Sequence, residues 1–390
     1  MAALLVIATL GTQAGLLAAQ TPDLPDKFPI VETKVMGETG AGYIYLSNVS
    51  RTPLALIASR NAYRRYLMVL DNDGSPVFYQ DIRIRASDFR SFANGTMIYH
   101  DLTYPGRVAG VGVDGPFMVL DGNGNVIDEY RMIGYPTTLH DFLLLPDGNV
   151  ILFAYDERVM DLTEYGGHPA AIVVNTVLQE IDPDHNVVWE WSGWDHFEIE
   201  DTVRKAQYDN EPPEPVDFLH ANGLALDLDG NIVLSSKHLD EITKINHETG
   251  DIIWRMGGRY NRNNEFTFIN DPLNGFSAQH HPVILPNGNL LLFDNGTAHE
   301  PRESRAVEYE LDQEARTATL VWSYSNGQYA AGMGSVQRLA NGNTFIGWGS
   351  SEGVTASEVT PEGEVVFELS LPPSEISYRA YRLPFYGEIE

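Results

Sequence analysis

The chain alternates between two kinds of hairpin, six times over, and that repeat restricts its fold more than any other feature. The first kind joins two apolar strands through a turn with glycine. It reads FRSFANGTMIYH (89–100), FLLLPDGNVILFAY (142–155), LALDLDGNIVLSSK (224–237), VILPNGNLLLFDN (283–295) and VQRLANGNTFIGWG (336–349). Asn-Gly and Asp-Gly tolerate the positive φ angles that tight hairpins require. A degenerate stretch, YIYLSNVSRTPLALIAS (43–59), makes a sixth copy.

The second kind is an acidic turn before an aromatic-bearing strand: LDNDGSPVFYQ (70–80), LDGNGNVIDEYRM (120–132), IDPDHNVVWEW (181–191), INHETGDIIWRM (245–256), LDQEARTATLVWSY (311–324) and VTPEGEVVFEL (359–369). These copies interleave with the first set and start 48 to 66 residues apart. Two hairpins per period make four strands, the blade of a β-propeller. No amphipathic helical run competes. The expectation is all-β: a six-bladed β-propeller with four-stranded blades around a central channel, occupying residues 41–390 as one domain. SYRAYRLPFYGEIE at the C-terminus is expected to return a strand to the first blade. The longer connections, 156–176, 192–216 and 257–276, are expected to rise as loops over one face.

Three histidines stand before the turns of three consecutive first-kind hairpins. His140, His220 and His280 precede Gly148, Gly230 and Gly288 by 8, 10 and 8 residues. All three offsets are even, so continuous strands would direct the three side chains to one face. The first strand of a blade lines the channel, which places the three imidazoles at one channel mouth. Such a group can be a nucleophile with its helpers. It can equally be a ligand set for zinc, copper or iron, with Asp141 and Asp217 available to orient the rings.

Composition narrows the partners. Acidic residues outnumber basic ones 54 to 25, a formal charge of −29, which repels nucleic acid. With no cysteine there is neither a thiolate nucleophile nor a disulfide. The acidic turns Asp71–Asp73 and Asp182–Asp184 lack the spacing of a calcium loop, and the triplets at Asn48, Asn94 and Asn295 are given no functional weight. Residues 1–20 are apolar with small residues at Ala18-Ala19, resembling a secretory signal, while residues 21–40 form an extension. The expectation is an exported protein, periplasmic or extracellular and not integral to a membrane. A retained apolar segment would instead join subunits into a homo-oligomer.

Several segments, in order, resemble the bacterial arylsulfotransferase (aryl-sulfate sulfotransferase) family: LHDFLLLPDGN, FLHANGLALDLDGN, FSAQHHPVILPNGNLLLFDNG, GSVQRLANGNTFIGWG, SGWDHF (192–197) and SRAVEYELD (304–312). The likeness spans most of residues 40–385. It implies a six-bladed propeller in which a histidine takes a sulfuryl group from an aryl sulfate and passes it to a phenolic acceptor. Neither a nucleotide sulfate donor, another cofactor nor a metal is implied. Residue by residue, the nucleophile falls on His280 after Gln279. His140 matches the His-Asp-Phe segment, and His220 and Asn222 match a His-x-Asn motif. Imidazolium forms of His140 and His220 and the Asn222 amide are expected to bind the sulfate oxygens. The family's Ser-Ser-Arg-His stretch here reads Ser235-Ser236-Lys237-His238, putting Lys237 at the sulfate, and Gly223 stands where serine is common. His281 reads as structural, His196 as loop packing, and His185, His247 and His299 as turn residues. A non-catalytic propeller serving as an interaction module is the alternative outside enzymology.

Overall fold

The computed structural model describes residues 24–51, 63–82, 85–102, 107–108, 112–212 and 214–388. The apolar segment 1–20 lies outside the described residues, and with it the expectations of export and assembly. Six sheets, antiparallel but for one short parallel strand added to each of blades 3 and 5, form a six-bladed β-propeller. Blades 2 to 6 run outward from innermost strands Ala86–Ser91, Thr137–Leu144, Ala221–Leu226, His280–Ile284 and Ser335–Arg338. The turn glycines Gly148, Gly230 and Gly288 have φ of 97°, 82° and 86°, the left-handed region that the hairpin turns demand.

Blade 1 departs from the repeat. Tyr43–Ser47 is its second strand, and its innermost strand is Ala380–Leu383 from the C-terminus. The 43–59 stretch is therefore not a sixth inner hairpin: Tyr43–Ser47 pairs with a strand more than 300 residues away, and 52–59 lies outside the described residues. The expected return of the C-terminus to blade 1 is what closes the ring. The N-terminal strand Glu32–Val35 adds a fifth strand to the outer edge of blade 6, so both ends of the chain fasten the join.

The core is divided among the blade contacts. Six apolar clusters lie one at each junction, for example Phe153, Leu178 and Leu234 between blades 3 and 4, and Leu46, Met68 and Phe367 between blades 6 and 1. Each fully buried Leu or Phe contributes about 1.5–3 kcal/mol, and the pattern continues around the ring without a gap. Among the described residues no helix is long and apolar enough to cross a membrane.

The innermost strands are not continuous. Each of blades 2 to 5 carries a register shift, between Ser87 and Arg90, Thr137 and Phe142, Ala221 and Gly223, and His280 and Val283. The parity argument for the histidines therefore fails as a reason. They converge because the same irregularity recurs in successive blades, and bulges re-aim side chains where a strand passes a site.

Candidate functional site

The irregular inner strands carry two polar layers into the channel. The lower one is ionic. Arg379, entering the last strand of the chain, is fully buried and pairs with Asp88 at 3.2 Å and with Asp141 at 3.0 and 3.1 Å. Arg90 reaches Asp141 at 2.9 Å and Asp88 at 3.2 Å, and Tyr381 donates to Asp88 at 2.8 Å. These arginines hold Asp141 far below the ordinary carboxylate range despite its burial. Arg379 also donates to the Asn222 carbonyl at 3.3 Å, so the network joins blades 1 to 4. His281 adds blade 5, with Nε2 3.4 Å from the Tyr381 hydroxyl and Nδ1 accepting from Val336 N–H at 3.2 Å. Removing one partner would strand a buried charge, a loss of about 3–5 kcal/mol.

The upper layer gathers the histidines. The His140 and His220 rings lie 5.1 Å apart, and His238 lies 4.5 Å from His220. Tyr155 Oη is 3.3 Å from His140 Nδ1. Asp217 makes a very short hydrogen bond to His220 Nδ1, while its backbone carbonyl lies 2.6 Å from His238 Nδ1. The Nε2 atoms of His140 and His220 and the Lys237 ammonium have no hydrogen-bond partner among the described residues, and the Asp217 carboxylate acts on Lys237 from nearby.

His280 is built differently. Its Nδ1 is 2.7 Å from Asn295 Oδ1 and 3.0 Å from the Ala278 carbonyl. The Asn295 amide is fixed in turn by donating to the carbonyls of Ala330 and Met333, at 2.9 and 3.0 Å. Both neighbours of Nδ1 are acceptors, so Nδ1 carries the proton and Nε2 the lone pair. Nε2 accepts the Met333 N–H at 3.1 Å. A Cβ on Gly332 would lie 3.5 Å from Lys237 Nζ and 3.9 Å from His280 Cε1. The loop leading into blade 6 thus floors the space between lysine and histidine.

Burial pushes the pKa of His140, His220 and His280 well below 6.5, and the Lys237 charge adds to the shift in all three. The free site therefore presents neutral imidazoles, not the imidazolium donors expected for His140 and His220. Burial also lowers Lys237 and raises Asp217. Asn222 is fully buried and spends one amide hydrogen on the Gln279 carbonyl at 2.7 Å, leaving one for a ligand and its Oδ1 unpaired. It is part tie between blades 4 and 5, part donor.

The metal alternative takes a different form from the one expected. His280 has both ring nitrogens engaged, and the side chains whose ligand atoms come within 4.8 Å of one another are Asp217, His220 and His238. Both of those histidines already direct Nδ1 at Asp217, and the Lys237 ammonium stands beside them, an arrangement suited to an anion more than to a cation.

The family model Arylsulfotransferase (ASST) matches residues 31–382. The chain belongs to the arylsulfotransferase family. No curated protein matches it. Solved structures align at low identity. A Bacteroides caccae protein of unknown function shares the fold, at 12% identity and TM-score 0.52, over 87% of this chain and 98% of that one. A periplasmic gluconolactonase from Pseudomonas aeruginosa aligns at 11% and 0.46 over 88% and 100%, and a virginiamycin B lyase from Staphylococcus aureus at 10% and 0.40 over 88% of each.

Of the five residues singled out from sequence in this arylsulfotransferase-family chain, His140, His220, Lys237 and His280 lie around the upper layer, and Asn222 ties blade 4 to blade 5 with its own carbonyl in the ionic layer. Sequence reasoning passed over Asn295, which sits in a triplet given no weight yet is fully buried against His280. Its place beside Asp294 at the end of the hairpin that His280 begins was the available signal. Met333 acts through its backbone, which no side-chain motif reports. Gly223 has a plain cause: a Cβ there would lie 2.5 Å from Pro282 Cδ of blade 5.

Proposed function

We propose that the chain is an aryl-sulfate sulfotransferase that carries the sulfuryl group on His280 Nε2. The observation that supports this most is the fixed tautomer of His280, with Nδ1 held by Asn295 and the Nε2 lone pair, near Lys237, taken up only by the Met333 N–H. In the first step Nε2 displaces the Met333 N–H and attacks sulfur. The N–S bond forms, the S–O bond to the aryl group breaks, and the phenolate leaves with the electron pair. Lys237, the second Asn222 N–H and the freed Met333 N–H offer donors to the three equatorial oxygens. In the second step His220 Nε2 accepts the proton of the acceptor phenol, with Asp217 stabilising the imidazolium, as the phenol oxygen attacks sulfur and the N–S electrons return to His280. We further propose export, on the strength of the apolar residues 1–20.

Intact-mass analysis before and after incubation with a chromogenic aryl sulfate tests the reading. One sulfuryl group is expected to be gained and to be absent in His280→Asn, with phenol release lost in parallel. No adduct and no phenol would reject transfer, and phenol release surviving in His280→Asn would reject the nucleophile. The same measurement on exported protein reads export directly, by the loss of about 20 residues, the length of a secretory signal.

A further inference from the structure

The chain has lysine where its family has arginine, and an ammonium lacks the planar fork that matches a sulfate edge. A guanidinium nevertheless arrives at this corner from elsewhere. In the loop between blades 3 and 4, Val203 N–H and the Thr202 hydroxyl both donate to the His238 carbonyl, at 2.9 and 3.1 Å. Arg204 N–H donates to Thr202 Oγ1 at 3.1 Å, and Arg204 Nη2 donates to Thr297 Oγ1 at 3.0 Å. Thr297 is two residues beyond Asn295, the partner of His280. The Arg204 side chain therefore spans from the corner that carries Lys237 and His238 to the one behind His280.

Its guanidinium makes no ion pair among the described residues. The buried arginines Arg65, Arg90, Arg305, Arg379 and Arg382 have carboxylate partners, whereas Arg51, at the opposite side of the ring, is held by the backbone carbonyls of Ser350 and Ser351 and Arg204 by the Thr297 hydroxyl. Lys237 makes no ion pair among the described residues either, and the carboxylate that acts on it, Asp217, already serves His220 and His238. The two cations oppose each other: Arg204 contributes to lowering both Lys237 and His220. The carboxylate it does influence, Asp240, is pushed up to about 6 by burial and spends Oδ1 on the Ala278 N–H at 2.7 Å. The carboxylates these two cations feel, Asp217 and Asp240, are both raised by burial, and an anion placed between the cations would relieve their mutual repulsion.

The geometry points to Arg204 as a substrate-binding residue that, with Lys237, clamps the sulfate of the donor and supplies the fork its family places on the neighbouring strand. This rests on the sulfotransferase reading for the identity of the anion, but the clamp can be tested without turnover.

The full chain and its Arg204→Gln and Arg204→Lys variants are compared in two measurements. One is the rise in melting midpoint with inorganic sulfate, against sodium chloride of equal ionic strength. The other is KM and kcat for a chromogenic aryl sulfate. Arg204→Gln should weaken sulfate binding and raise KM about tenfold or more, the loss expected for a charge-assisted hydrogen bond, with Arg204→Lys in between and the sulfate-free midpoint kept. A parent that is stabilised by sulfate through Arg204 but never turns over upholds the clamp and rejects the transferase. An active parent whose KM and sulfate response are unchanged in Arg204→Gln rejects the clamp and leaves the transferase standing. A variant that loses its sulfate-free midpoint while keeping its sulfate response assigns Arg204 to folding and overturns the proposal.

Discussion

A histidine can serve as the proposed nucleophile when one ring nitrogen is held protonated and the other keeps its lone pair. For His280, Asn295 does the holding while only the Met333 N–H occupies Nε2. The same burial that removes water from the ring removes its affinity for a second proton. This has a consequence for the pH profile of kcat/KM, which reports the free enzyme. An unshifted histidine of pKa 6.5 would cost about tenfold at pH 5.5. His280 lies well below that value, so kcat/KM at pH 5.5 should stay within about twofold of its value at pH 7. On the alkaline side Lys237, lowered from 10.5 by burial, should lose its proton, and activity with it, before pH 10.5. Lys237→Arg removes that titration and should carry the alkaline limb upward. A profile of Lys237→Arg that overlays the parent would deny Lys237 a role in binding the transferring group.

At the scale of elements, the site depends on how innermost strands depart from regularity and on how neighbours accommodate one another. Gly223 and Pro282 are a matched pair across blades 4 and 5, with 2.5 Å between the proline Cδ and the position of a Cβ on Gly223. Restoring the serine common in the family should therefore fail here when made alone. Gly223→Ser is expected to cost about 1–3 kcal/mol by overpacking, and Pro282→Ala in the same chain should recover most of it, a coupling readable from urea unfolding of the four variants. Equal stability of Gly223→Ser and the parent would show that the strands part freely. The hairpins themselves were plain in the sequence, since Gly148, Gly230 and Gly288 announce turns at the positive φ that glycine adopts most freely. The bulges were not, because no residue type marks them, and continuous strands had to be assumed for His140 and His280. Arg204 was hidden for a different reason: its loop has no period, and its partner Thr297 lies 93 residues away in the chain.

The whole molecule is a closed ring of six blade junctions, and its stability should depend on pH through what the ring buries at its centre. His100 of blade 2 is fully buried, its ring edge-on to Phe117 at 4.8 Å, and burial pushes its pKa down to about 3. His238 is likewise pushed to about 3, and His140, His220, His280 and His281 lie well below 6.5. The folded pKa of each is depressed, so above pH 6.5 neither the folded nor the unfolded chain protonates these rings and stability is fully present. Below 6.5 the unfolded chain binds protons that the folded one refuses, and stability falls as pH descends toward 3. At pH 5 a single histidine shifted to about 3 costs about 2 kcal/mol relative to pH 7. His100 takes no part in the proposed chemistry, touching it only as the smallest of the influences that lower His140, and so reads the effect of burial most directly. His100→Phe should leave aryl sulfate turnover unchanged and make the difference in unfolding free energy between pH 7 and pH 5 smaller by about 2 kcal/mol. A variant with the parent's full pH dependence would show that His100 is protonated inside the fold, with a counter-charge supplied from the channel.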